Sequence, residues 1–335
     1  MLPFKLVYSD RYFLPIGEHV FPAEKYRRVQ QRLLELGIAA QEDFVEPQPA
    51  SDKDILLVHT PEYVYKLQTG TLTAREELQM EIPYSEELVE AFWLAAGGSI
   101  LAAERALYDR VAINVGGGFH HAFPDHGEGF CMIHDVAVAI RRLQKGKKIA
   151  RAMTVDCDVH QGNGTAFIFQ RKPTAADPLP SAGGATLKRT EAGSIRETPA
   201  EDVFTISLHQ EANYPAWKPA SSIDVNLPDG IRDEQYLAWL DNALSSGLRQ
   251  FQPDLICYVA GADPYREDQL GGLALSIEGL KKRDELMFRV AQARNIPVMV
   301  TFAGGYAQNV EDTVTIHCNT VVAAKEVFPP GDLKI

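Results

Sequence analysis

The sequence predicts an α/β fold: a single domain of three α/β/α layers around a mostly parallel central sheet. Two observations carry this reading. Short, near-continuous apolar runs alternate with longer segments of helical period, and strands that are apolar throughout belong to sheets covered on both faces. The polar residues that follow those runs gather at one rim, where such sheets bind ligands beyond the carboxyl ends of their strands. At 335 residues the chain is long for one domain, but no internal repeat or linker divides it, so residues 1–335 are expected to form one unit.

Taken in order, Lys5–Tyr8 is expected as a first strand, followed by a turn-rich stretch through Pro15, Gly17, His19 and Pro22. Ala23–Leu36 has helical spacing in Tyr26, Val29, Leu33 and Leu34 and stops at Gly37. Phe44–Pro49 and Ile55–Val58 read as strand or loop pieces. Pro61 then opens a helix in its first turn, where the missing N–H costs nothing. Glu86–Tyr108 is the strongest helix, with Leu88, Phe92, Ala95, Ala96, Ile100 and Ala103 on one side and Gly97-Gly98 marking close packing. Val111–Val115 is a strand that runs into three glycines, Val136–Gln144 a helix, and Ile149–Val159 a buried strand. Residues 170–202, rich in Pro, Gly, Ser and Thr, read as a loop-rich insertion. Val203–Leu208, Leu255–Ala260 and Val298–Phe302 follow as strands, and Glu234–Phe251, Ile277–Ala293 and Val310–Val327 as helices.

The totals exclude some classes. A net charge of −12 argues against a broad nucleic-acid surface, which needs clustered Lys and Arg. No run approaches a membrane span, and the first residues lack a basic flank and an apolar stretch of signal length, so the cytoplasm is the expected location. Cys131, Cys157, Cys257 and Cys318 are far apart and form no CxxC pair, which points to reduced, buried thiols.

The chemistry centres on Thr154–Gly164. Along a strand, Asp156, Asp158 and His160 project to one face. Two buried acids side by side need a partner, and a divalent cation fits, since Asp oxygen and His nitrogen are ordinary zinc ligands. A solvated strand edge is the plain alternative, and the apolar residues in between argue against it. His120-His121, after Gly116-Gly117-Gly118, could serve as general bases or metal ligands; alone, the pair is as well explained as a packed or solvated loop. Asp263 supplies a third carboxylate at a strand end, where a lone Asp is usually a helix cap. Tyr306, after Gly304-Gly305, could donate a hydrogen bond into a cleft or simply pack. Phe130, beside Gly127 and Gly129, reads equally as a channel wall or as core. No Lys-Ser/Thr follows the triple glycine, so a P-loop is excluded.

Together, Gly117–Ala122, Asp156–Gly164, Gly261-Ala262-Asp263-Pro264 and Gly304-Gly305-Tyr306 resemble the zinc-dependent histone deacetylase superfamily, which has the arginase/deacetylase fold. The resemblance runs from about Lys5 to about Val327. It includes Tyr8-Ser9-Asp10, residues 19–28 and His59-Thr60-Pro61-Glu62-Tyr63. His-Gln-Gly-Asn-Gly, with Asn163 where many members have Asp, is most similar to the class IV branch and its bacterial relatives.

The resemblance implies a metal-dependent amidohydrolase that removes an acetyl or longer acyl group from an amine, most simply Nε-acyl-lysine. Asp158, His160 and Asp263 would hold Zn2+ with a position left open, and two carboxylates beside one imidazole leave Fe2+ open as well. His121 would be the general base, oriented by Asn163. His120, beside Asp156, would be held cationic, and Tyr306 would donate to the oxyanion. Gly129, Phe130 and Tyr214 would line the substrate tunnel. Backbone carbonyls near Asp156, Asp158 and His160, with the Ser207-Leu208 strand end, would hold a structural K+. For an acidic grip on the substrate backbone, Glu76, Glu77 and Glu81 are the candidates. An acetylpolyamine or other small acyl-amine is the alternative substrate. An arginase-like binuclear ureohydrolase shares the fold but needs a further carboxylate that Gly261–Tyr265 lacks. A pure binding module would have to lack Tyr306 or the His pair, and both are present.

Overall fold

The computed structural model describes residues 1–170, 194–197 and 201–329. Among the described residues nine strands form one sheet: β1 Leu6–Val7, β2 Phe44–Val45, β3 Val111–Asn114, β4 Ala152–Asp156, β5 Ser194–Glu197, β6 Val203–Gln210, β7 Ile223–Leu227, β8 Leu255–Val259 and β9 Val298–Thr301. Their order is β2-β1-β3-β9-β8-β4-β6-β7-β5. Eight strands are mutually parallel, and β5 alone runs antiparallel, against β7 at the edge. The strands of the sheet centre are buried along their whole length, as a sheet with both faces covered requires.

The helices Glu86–Asp109 and Asp135–Lys145 cover one face, over a cluster that includes Val7, Ala112, Ala152, Cys257 and Met299. The helices Lys25–Glu35, Asp233–Gln250, Ile277–Ala293 and Val310–Val327 pack together on the other, over Ile113, Val155, Ile206 and Val300. Within Glu86–Asp109 the two glycines do mark close approach: a Cβ on Gly97 would strike the Gln48 carbonyl, and one on Gly98 the Tyr12 hydroxyl.

Several expected elements change. The first strand shrinks to Leu6–Val7, and of the strand-or-loop piece Ile55–Val58 only the loop survives, at residues 56–58, since Ile55 ends the short helix Asp52–Ile55, whose start is capped by Ser51 and Asp54. The long strand expected over Ile149–Val159 ends at Asp156. Beyond it the chain curls, because Asp156 Oδ1 accepts from Asp158 N at 3.1 Å and Asp158 Oδ1 from His160 N at 3.0 Å. Such side-chain-to-backbone bonds compete with a sheet ladder. Asp156, Asp158 and His160 therefore meet through a turn rather than through strand alternation. β6 runs on to Gln210, so His209 lies within it. Strand β7 and the helices Ala74–Met80 and Asn163–Phe169 had no counterpart in the sequence reading. The insertion at 170–202 falls mostly outside the described residues, and its segment Ser194–Glu197 forms β5.

Candidate active site

Four sheet connections deliver the site: the turns that follow β3, β4, β8 and β9. After β3, Gly117 and Gly118 take φ of 70° and 80°, where side chains with a Cβ are strained. A Cβ on Gly118 would lie 2.7 Å from that of Ala303. The buried Asp135 carboxylate accepts from Gly118 N at 3.0 Å and Phe119 N at 2.8 Å, fixing the turn that presents His120 and His121. Asp135 had no assigned part in the sequence reading; a buried acid opening a helix was its one signal.

The two histidines have different partners. His120 Nδ1 lies 2.7 Å from Asp156 Oδ2. Burial alone would depress His120, but the Asp156 and Asp158 carboxylates outweigh it and push its pKa up to about 9. His121 Nδ1 lies 2.7 Å from the neutral Asn163 Oδ1. Burial and the neighbouring His120 and His160 rings hold His121 well below the ordinary histidine value, against the Asn163 hydrogen bond. One imidazole is set to be cationic and the other neutral.

Asp158, His160 and Asp263 form one buried group whose potential ligand atoms all lie within 4.8 Å of one another. Asp263 Oδ1 accepts from Val159 N at 2.8 Å, while Oδ2 has no hydrogen-bond partner and sits 3.4 Å from His160 Nδ1. An orphaned, fully buried carboxylate oxygen between another carboxylate and an imidazole fits a cation site. Burial and the Asp158 charge push Asp263 up to about 8. His160, despite burial, rises to about 10 beside Asp158 and Asp263. A Cβ on Gly304 would collide with the carboxylates of Asp263 and Asp158, which is why that position is bare.

These groups open into a pocket of about 200 Å³ lined by His121, Gly129, Phe130, His160, Tyr214 and Tyr306, with Glu81, Asn213 and Leu270 completing the wall. Gly129, Phe130 and Tyr214 thus all line this one pocket. Phe130 takes φ of 66°, and its ring sits 6.0 Å from that of Tyr306. Tyr214 stands edge-on to His121 at 5.0 Å. Of the three acidic candidates, Glu81 reaches the pocket. Glu76 instead pairs with Lys66 at 2.9 Å and caps its own helix, and neither it nor Glu77 lines the pocket.

Several supporting residues had no sequence signal strong enough to assign them. Asp268 accepts from Tyr306 N at 2.7 Å and from Leu270 and Gly271 N at 2.9 Å, holding the turn that carries Tyr306. Lys25 is fully buried, donates to the Ala303 carbonyl at 2.6 Å and lies over the rings of Phe21 and Tyr306. Burial lowers its pKa to about 8. Arg283, also fully buried, donates to the carbonyls of Cys157 (3.3 Å) and Gly261 (2.6 Å), one in each turn that carries a carboxylate of the group.

The histone deacetylase domain matches residues 19–321. The chain belongs to the histone deacetylase family. It is 32% identical to histone deacetylase 2 of Arabidopsis thaliana over 317 residues, covering 91% of this chain and 75% of the relative. It is 39% identical to an uncharacterized protein of Picosynechococcus sp. strain PCC 7002 over 97% of this chain and 99% of the relative. The fold matches the crystal structure of a histone deacetylase homolog from Aquifex aeolicus with a TM-score of 0.73 at 23% identity, covering 98% of this chain and 89% of the other. Fold class and family thus agree with the sequence reading, and the protein is a deacetylase-family hydrolase.

Proposed function

We propose that this histone deacetylase-family hydrolase is a metal-dependent amidohydrolase that removes an acetyl or longer acyl group from an amine, with Nε-acyl-lysine as its substrate. The observation that carries the reading is convergence: His121, Tyr306 and His160 line one pocket walled by Phe130 and Tyr214, and His160 belongs to the buried group with Asp158 and Asp263. The aromatic walls suit a thin alkyl stem such as that of lysine, with the amide at the bottom.

A divalent ion held by Asp158, His160 and Asp263, zinc or ferrous iron, supplies Lewis acidity toward the acyl carbonyl and toward water. The chain's own groups do the rest. His121 accepts a proton from the attacking water and returns it to the leaving nitrogen as the C–N bond breaks. His120, kept cationic by Asp156, stabilises negative charge nearby without moving a proton. Tyr306 donates its hydroxyl hydrogen bond to the developing oxyanion. A potassium ion at the carbonyls where β4 and β6 end, with Asp156 registered beside Ser207, is part of this proposal.

The test is a panel of acetyl-, octanoyl- and myristoyl-lysine peptides and acetylputrescine, with Tyr306→Phe as control. Turnover is expected, with kcat falling on the order of 100- to 1,000-fold in the variant. Absence of any amide turnover that depends on Tyr306 would sink the mechanism. A small cationic acyl-amine is the second reading. It is favoured by the acidic Glu81 in the pocket wall and by the net charge of −12. A binuclear ureohydrolase has no support: among the described residues there is one group of three potential metal ligands.

A further inference from the structure

The side chain of Asn163 bridges two groups. Its Oδ1 faces His121 Nδ1 at 2.7 Å, and its Nδ2 donates to Glu128 Oε1 at 2.6 Å. A carboxylate only accepts hydrogen bonds, so the amide nitrogen must face Glu128 and the amide oxygen must face His121. An amide oxygen cannot donate, so the hydrogen sits on His121 Nδ1 and the lone pair on Nε2. Among the described residues Asn163 is the only hydrogen-bond partner of the His121 ring. The other ionisable groups around that ring are His120 at 4.1 Å and His160 at 6.1 Å between ring centres, with Tyr214 at 5.0 Å and the Asp158 charge beyond.

Glu128 is itself held in place. Tyr214 Oη donates to Oε1 at 3.0 Å, Gln79 Nε2 to Oε2 at 3.3 Å, and His126 Nε2 lies 3.6 Å from Oε2. Burial would raise its carboxyl, but His126, Asn163, Tyr214 and Gln79 hold it below the ordinary value, so it is ionised at neutral pH. The adjoining Gly129 lets the segment close in, since a Cβ there would lie 2.9 Å from both His121 Cδ2 and Tyr214 Oη.

We propose that Glu128 is a positioning residue for the deacylation reaction, fixing His121 in its Nδ1–H tautomer by orienting Asn163 and supplying the negative charge that Asn163 lacks. The carboxylate behind the base is thereby moved one residue outward, with a neutral amide in between. The same carboxylate anchors Tyr214, so base and tunnel wall share one fixed point. This inference rests on His121 being the base of the proposed reaction.

The test is a swap. Glu128→Gln keeps an acceptor for Asn163 but removes the charge, and kcat is expected to fall about tenfold or more, as loss of an outer-layer partner does. Asn163→Asp puts two carboxylates at the 2.6 Å contact and is expected to fall as well. The double variant Glu128→Gln/Asn163→Asp, in which the Gln amide can donate to Asp, is expected to recover to within about threefold of the wild type. Independently of turnover, 15N spectra of histidine-labelled protein, metal-free and zinc-loaded, are expected to show His121 as the Nδ1–H form. That form should give way to a tautomer mixture in Glu128→Leu. A double variant no faster than the slower single, or an unchanged His121 tautomer in Glu128→Leu, overturns the proposal. If the wild type deacylates nothing on the panel, the reaction reading fails, while the spectra still decide what Glu128 does.

Discussion

Arg283→Met is the sharpest test of how the site is held. The guanidinium is fully buried, with Nε 2.9 Å from Asp284 Oδ1, Nη2 2.9 Å from the same oxygen, and Nη1 on the carbonyls of Cys157 and Gly261. Asp284 is also fully buried and accepts from Tyr258 Oη at 2.5 Å and Thr320 Oγ1 at 2.6 Å. Methionine fills similar space but leaves the Asp284 charge without its partner, and breaking one side of a buried pair costs about 3–5 kcal/mol. For a chain of this size about 1.4 °C of Tm accompanies each kcal/mol, so a drop of about 4–7 °C is expected in thermal unfolding of the metal-free protein. Adding Asp284→Asn removes the stranded charge and keeps an acceptor for Tyr258, so the double variant is expected to regain more than half of the loss. Zinc affinity is expected to fall in both, because the turns carrying Asp158 and Asp263 lose their common tie. A loss under about 1 kcal/mol in the single variant, or a double variant no more stable than it, would refute the reasoning.

The metal-free protein is expected to lose stability as pH rises from about 7 to 8. His120 and His160 are pushed up to about 9 and about 10, and Asp263 up to about 8, above unfolded values of about 6.5 and 3.9. The folded state then binds more protons than the unfolded one across that window, so its stability falls as they are lost. His59, His121, His134 and His317, all held low by burial, act in the opposite sense toward the lower end of the window and Lys25, lowered to about 8, toward the upper end, and within it the three raised groups outweigh them. A Tm flat or rising between pH 7 and 8 would contradict this. Glu81→Gln is expected to raise KM for acetylputrescine by up to about fivefold, the worth of an exposed ion pair, with kcat unchanged. An unchanged KM would remove Glu81 from substrate recognition. Chelation is expected to abolish turnover, and readdition of Zn2+ or Fe2+ to restore it along with a higher Tm. Full activity after exhaustive metal removal would rule out the proposed mechanism.

Much of this was legible in the sequence because each chemical group follows an apolar run. Val111–Asn114, Ala152–Asp156, Leu255–Val259 and Val298–Thr301 announce a parallel sheet, and the residues after them announce its working rim. Strand β7 was hidden because polar Asp224 and Asn226 interrupt its apolar residues. Both are buried, and Asp224 is satisfied by Gln161 at 2.8 Å and Ser221 N at 3.0 Å. The supporting charges were hidden for a related reason. Lys25, Glu128, Asp135, Asp268 and Arg283 look like solvated residues until folding brings them to partners tens or hundreds of positions away. The turn at Asp158 and His160 was misread as strand because composition does not reveal which carboxylate will bind its own backbone.

The sheet order has a consequence for biosynthesis. Among the described residues the last strand to be made, β9, is inserted between β3 and β8, and the turn after it brings Gly304 and Tyr306 to groups made nearly two hundred residues earlier. Until that strand leaves the ribosome, the sheet is two separate halves with exposed edges, and His120 and His121 are on a different half from Asp158 and Asp263. A nascent chain therefore passes through synthesis with no working centre. Catalytic competence arrives in one late step, which leaves the interval before it as the time when open strand edges need protection from other chains.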